Sequence, residues 1–340
     1  MFAKKNNKNI IVIFLIVSFW SCNQTESSTN FKDVDVYTSF ENEIPIKDIL
    51  DGHLFDFKYF TPSPQNKYTT QIKNTNLFLE ENNNSVIMLI TTEEAHDSIP
   101  SKIASKLTDS STNNVTLIND YYTKDQLLFV IKTKKIEDLP VILDINKEWI
   151  LSKIKENEFL KLKNQNFNGM LNDSLIYNIN QNFGLNMEIQ EDYHLIKQNI
   201  DEKYIWLGRA YPYRWIFLYE DIQQYYNTNK STYKRLNQKF ENILDINALP
   251  YNTQFDNIDI NNDETRKIYG VYGTKVDAEN ITGGPFITYL LDIPKTNKVL
   301  IANGFVNFPG KNKVYHLKEL EYIIENSFRI NKNKGKNENE

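Results

Sequence analysis

Cysteine is almost missing from this chain: its 340 residues contain one, Cys22. A single thiol cannot form an internal disulfide framework, and it leaves no thiol for catalysis or redox chemistry beyond position 22. Histidine is nearly as scarce, at His53, His96, His194 and His316, and none lies in H-E-x-x-H or H-x-H spacing. There is no G-x-S-x-G elbow, no complete S-x-x-K set, and no Walker or dinucleotide fingerprint. Long apolar runs are missing too. The run at 10–20 falls well short of the roughly 20 residues that a spanning helix needs. No Lys/Arg-rich stripe is present and the formal net charge is −5, so the chain lacks the electrostatic footprint of a nucleic-acid binder.

What is present begins at the N-terminus. Lys4, Lys5 and Lys8 precede the uncharged run 10–20, and Ser21 then leads into Cys22. A basic segment, a short apolar core and a small residue before the break make a secretory signal. A cysteine directly after that small residue resembles the lipobox of bacterial lipoproteins, although Phe19 and Trp20 depart from its usual Leu-like and small residues. Residues 1–21 are therefore read as a lipoprotein signal peptide and Cys22 as the lipidation site. A signal peptide cut nearby without lipidation is the competing reading. Two or more acyl chains would hold the protein stably on a membrane. Cleavage removes Lys4, Lys5 and Lys8, taking the formal charge from −5 to −8. The lipid, not a basic surface, is then the anchor.

The polar stretch 22–33 reads as a tether, reaching roughly 15–20 Å if flexible. Residues 330–340 are polar and charge-mixed and read as a disordered tail. Twenty tyrosines and twenty phenylalanines are many, but Asn, Lys and Ile are used heavily as well, as an AT-rich genome would favour.

Between the ends, hydrophobic content of 40% supports a globular chain. Apolar and β-branched runs at 76–80 and 85–92 suggest a hairpin across 81–84, and a helix follows with Ile99, Ile103 and Leu107 at four-residue spacing. Strands are expected at 115–121 and 126–133, then a helix over 137–156 capped by Asp138, with Ile142, Ile145, Trp149 and Ile154 inward. Segment 159–199 suggests a helix over 173–183 stopped by Gly184, then a strand pair within 185–197. Strand pairs follow at 203–208 with 214–220 and at 286–291 with 298–306. Helices are expected at 231–246 and 313–328, the last with Val314, Leu317, Leu320, Ile324 and Phe328 on one face. Short turns imply antiparallel pairing. The expected fold is α+β: antiparallel sheets with helices on one face, arranged as two pseudo-repeated ββαββα halves, 34–160 and 161–329.

Several runs in the second half carry a resemblance. These are Trp206-Leu207-Gly208-Arg209, Trp215 to Tyr219, Thr282-Gly283-Gly284-Pro285-Phe286, Gly304 to Pro309, and Tyr315 to Ile324. Together they resemble a family of uncharacterised Bacteroidota envelope lipoproteins catalogued as a domain of unknown function, best over 164–328. The resemblance implies a lipid-anchored envelope protein and no activity. The same residues have a physical reading: Gly283-Gly284 before Pro285 shapes the start of a strand, and Gly304 suggests a bulge or a close backbone approach.

One cluster stands out as a candidate interface. Trp206, Arg209, Tyr211, Tyr213, Arg214 and Trp215 crowd around a proline turn, and aromatics with arginines are enriched at binding hot spots and can stack on sugars. The blander reading puts Trp206 and Trp215 in the core, with both arginines at a wet rim. His53 with Asp51 and Asp56, and His96 with Glu93, Glu94 and Asp97, are acid-flanked histidines that read better as solvated residues than as metal ligands. His316 is placed on the solvent face of the last helix. No cofactor or metal is expected. The function these features favour is a non-enzymatic binding or assembly module, lipid-anchored at the outer membrane of a bacterial envelope, its partner an envelope protein or a glycan. The alternative is a lipid-anchored hydrolase acting on cell-wall or polysaccharide substrates through paired carboxylates.

Overall fold

The computed structural model describes residues 32–38, 43–79, 82–96, 98–108, 114–260, 263–274 and 283–337. Cys22, the signal segment and most of the tether lie outside these. The fold is α+β, built as two lobes around two sheets.

In chain order the N-terminal lobe contains β1 (Asp33–Tyr37), α1 (Glu43–Ile49), β2 (Lys58–Tyr59), β3 (Gln65–Asn66), β4 (Thr69–Lys73), β5 (Val86–Thr92), α2 (Ile99–Leu107), β6 (Val115–Asn119), β7 (Leu127–Thr133) and α3 (Leu139–Leu162). Its five-stranded sheet has the order β4-β1-β5-β7-β6. The β1–β4, β1–β5 and β5–β7 pairs are parallel, and only β6 runs antiparallel, to β7. The 115–121/126–133 hairpin is as expected; the 76–80/85–92 hairpin is not. Residues 75–79 form a single 3-10 turn whose start is fixed by the Asn74 side chain accepting from the Asn76 amide at 3.0 Å. This frees β5 to lie between β1 and β7. Every β5 residue is buried, as a parallel strand covered on both faces requires. On one face α1 and α3 pack against Val86, Met88, Ile90, Phe129 and Ile131. On the other, α2 packs against Ile87, Leu89, Leu128 and Val130. The inward side of α3 is Leu139, Ile142, Leu143, Ile150 and Ile154. Ile145, expected inward, lies one stripe away and is 78% exposed.

The C-terminal lobe contains α4 (Asp173–Phe183), β8 (His194–Asn199), β9 (Tyr204–Arg209), β10 (Tyr213–Ile222), α5 (Asn229–Lys239), β11 (Ile246–Ile260), β12 (Asp263–Thr274), β13 (Gly283–Asp292), β14 (Lys298–Asn307) and α6 (Val314–Asn337). Helix α4 starts where Asn172 Oδ1 accepts from the Leu175 amide at 3.1 Å, and it stops at Gly184, whose φ is 68°. The seven-stranded sheet has the order β11-β12-β13-β14-β10-β9-β8 and is antiparallel throughout. The long β11–β12 pair has no counterpart in the sequence reading. The pair expected within 185–197 is replaced by one edge strand, β8, paired to β9.

Helices cover both faces of this sheet, not one. Residues Leu236, Phe240 and Leu244, from α5 and the turn after it, meet Phe217, Tyr219, Phe286 and Phe305. On the opposite face, Val314, Leu317, Leu320 and Ile324 of α6 meet Ile205, Leu207, Ile216, Leu218 and Ile287. Helix α6 approaches closely because Gly304 lies beneath it: a Cβ there would stand 3.1 Å from Leu320 Cβ. The ββαββα duplication does not hold, since one lobe is mainly parallel and the other wholly antiparallel. The backbone of α6 also continues to Asn337, through most of the segment expected to be disordered. Adding residues to a helix already nucleated by a buried stretch avoids the cost of a new nucleus.

Candidate functional site

The turn between β9 and β10 carries the sequence-selected cluster, and its Tyr211–Pro212 peptide is cis. Register decides where each side chain goes. Arg214 pairs with Arg209, and Trp215 with Gly208. Alternation then sends both arginines toward α6 and both tryptophans toward α5. Trp206 and Trp215 are half-buried and meet edge-on, ring centres 6.1 Å apart. Trp215 extends over Gly208, where a Cβ would come within 2.8 Å of its ring.

The arginines are not at a wet rim. Arg214 is only 5% exposed. Its Nη1 donates to Glu319 Oε2 at 2.8 Å and to His316 Nδ1 at 2.7 Å. A guanidinium can only donate, so His316 Nδ1 is the acceptor of that contact. Glu319 Oε1 also accepts from Gln190 Nε2 at 2.9 Å and faces Arg209 Nη1 at 3.5 Å. Arg209 pairs further with Gln190 and Asp192 and lies over the Tyr193 ring at 5.5 Å. Burial opposes ionisation of Glu319, but the Arg214 guanidinium, the Gln190 amide and Arg209 outweigh it and hold the carboxyl below its ordinary value. His316 is therefore part of a buried brace instead of facing solvent.

Two of the six residues remain open to solvent: Tyr211 is 57% and Tyr213 46% exposed. Their rings meet edge-on at 5.7 Å, Tyr211 meets Phe308 at 5.3 Å, and Phe308 meets His316 at 5.3 Å. The turn thus presents a short row of aromatic rings that reaches the Arg214–Glu319 pair through Phe308 and His316.

A second constellation was not foreseen from sequence. It lies where α3, α6, β12, β13 and segment 57–68 converge. Lys267 Nζ is 2.7 Å from Glu321 Oε1 and 3.2 Å from Glu325 Oε1, between the rings of Tyr269 and Tyr289. Lys67 reaches Glu321 at 3.3 Å and Lys155 reaches Glu325 at 2.5 Å. Lys318 contacts Glu158 at 2.6 Å and lies over the Tyr68 ring. Tyr59 and Tyr269 donate to Glu321, and Tyr289 donates to Glu325. Burial alone would raise both carboxyls. Lys267, Lys67 and Lys155 reverse this, holding Glu321 far below its usual range and Glu325 at about 2. Desolvation lowers Lys318 to about 8 despite Glu158. Buried charge pairs of this kind fix how elements meet more than they add net stability. The sequence signal was the spacing of Lys318, Glu321 and Glu325, which share a face of a helix otherwise buried through its apolar residues.

Around His53 the acids expected beside it turn to other partners. Asp51 pairs with Lys47, Asp56 with Lys147, and His53 with Asp144. Asp97 lies outside the described residues. Among those described, no group of three or more His, Cys, Asp or Glu is placed to hold a metal ion.

Residues 172–326 contain a domain of unknown function, DUF4837. The match begins at the cap of α4, takes in all seven strands of the antiparallel sheet, and ends within α6. It covers the tyrosine turn and its brace, and Lys267, Lys318, Glu321 and Glu325 of the network. No curated protein matches the chain.

Proposed function

We propose that this protein is a lipid-anchored binding module of a bacterial envelope, tethered through Cys22 to the outer membrane and engaging an envelope protein or glycan through the Tyr211–Tyr213 turn. The observation that carries this reading is the pairing of two exposed tyrosines with a rigid support. Aromatic rings held in place lose little conformational freedom on binding, which favours them as contact residues. No described helix is long and apolar enough to cross a membrane, so the anchor in this reading is the lipid on Cys22. Glycosidase chemistry through the buried acids of this lobe would need one carboxyl raised as general acid. Here Glu319, Glu321 and Glu325 are instead buried, ion-paired and lowered.

The test is crosslinking capture from the native envelope, comparing wild type with Tyr211→Ala/Tyr213→Ala and with Cys22→Ala. The double variant should lose the captured partner at an unchanged melting temperature. Cys22→Ala should move the protein out of the membrane fraction. Full capture by the double variant, or release of sugar products by the purified protein, would count against the proposal.

A further inference from the structure

In α/β sheets a ligand usually sits in the crevice beyond the carboxyl ends of neighbouring parallel strands, where the helices that follow those strands lie on opposite faces. The N-terminal lobe contains such a point. After β5 the chain passes to α2 on one face, and after β7 it passes to α3 on the other. The carboxyl ends of these adjacent parallel strands, with the two helices, enclose a groove of about 750 Å³. That lies within the range of about 300–1,000 Å³ for small-molecule sites.

The lining is divided by chemistry. Lys102, Lys132 and Lys134 supply positive charge, against the two carboxylates of Glu93 and Asp138. Lys132 is the innermost of the lysines, half-buried with its Nζ 2.5 Å from Thr108 Oγ1. The opposite wall is apolar: Val141 is 59% and Ile145 78% exposed, one turn apart on α3. Of the two, Ile145 is the residue that the helical pattern places in the core. Buried Thr92 and Thr133 end the strands at the floor.

We propose that this crevice binds a small organic anion with an aliphatic body, the head group held by Lys102, Lys132 and Lys134 and the body laid on Val141 and Ile145. A head group alone would leave the apolar wall wet, and an uncharged body would leave the lysines unmatched. The site is in the other lobe from the tyrosine turn and does not depend on it.

The test is calorimetric titration of the full chain, carrying Cys22→Ala so that no acyl chain is attached, with octanoate, octyl phosphate, octanol and acetate. Octanoate or octyl phosphate should bind at least tenfold more tightly than octanol or acetate, and the tighter of the two identifies the head group. Lys102→Ala/Lys134→Ala and, separately, Ile145→Asp should each weaken that binding tenfold or more. All of these residues are exposed, so the melting temperature should stay within a few degrees. Absence of binding by both amphiphiles, or unchanged affinity in both folded variants, would overturn the proposal.

Discussion

Arg209 and Arg214 stand directly opposite each other on paired strands, an arrangement that is repulsive on its own. Glu319 makes it tolerable, from a helix more than a hundred residues away in sequence. Truncating Arg214 to Ala should therefore leave a buried carboxylate without its closest partner and destabilise by about 3–5 kcal/mol. Tyr213→Ala, at an exposed site, should change stability by about 0.5 kcal/mol or less. Chemical denaturation of the two variants checks the difference, and equal losses would place Tyr213 in the core. The crowding of aromatics and arginines at 206–215 was legible in the sequence. Which side chains turn inward was not, because that depends on strand register and on a distant acid. The buried carboxylates make a second prediction. Glu321 and Glu325 titrate well below their ordinary value of 4.5 when folded. Their contribution is fully present above about pH 4.5 and is lost as pH falls toward about 2. Unfolding free energy measured by denaturant titration should decline over that window, and the decline should shrink in Glu325→Gln.

At the scale of elements, the antiparallel lobe was read better than the parallel one. Strands β9, β10 and β14 and helices α4 and α6 begin within two residues of where period and turn chemistry put them, and β13 begins three residues earlier. Each of these strands has one partner across a short turn, β9 with β10 and β13 with β14, and there local pattern and pairing agree. The error in the first half came from β5. Its run of apolar residues has no alternation, which marks a strand covered on both faces, whereas local pattern alone pairs it with the nearest apolar run. The partners lie farther along the chain in β1 and β7, and a single sequence does not reveal such non-local pairing. Glycine spacing was more informative. A Cβ on Gly284 would overlap the Val306 carbonyl oxygen of the neighbouring strand, whereas one on Gly304 would only crowd Leu320 and Ile287. Backbone cannot yield as a side-chain tip can. Gly284→Ala should thus destabilise by about 1–3 kcal/mol or more, and Gly304→Ala by less. Thermal unfolding of the pair checks the order.

At the scale of the whole molecule, the lobes are fastened by charge. Lys67, Lys155 and Glu158 come from the N-terminal side, and Lys267, Lys318, Glu321 and Glu325 from the C-terminal side. Tyr59 and Phe57 extend the C-terminal core from the other lobe. A fragment spanning 172–340, close to the extent of the family match, would expose α6 and strip its carboxylates of Lys67 and Lys155. It should unfold at a clearly lower denaturant concentration than the full chain, and equal midpoints would show the network to be dispensable. The central claim, that the molecule works by binding through its tyrosine turn, is tested most directly by position-specific photocrosslinking in the native envelope. A photoreactive residue would replace Tyr211, Tyr213 or, as a control, Tyr177, which is also exposed but lies on α4. Binding through the turn predicts one discrete adduct from positions 211 and 213 and none from 177. Equal crosslinking from all three, or an adduct from 177 alone, would contradict it.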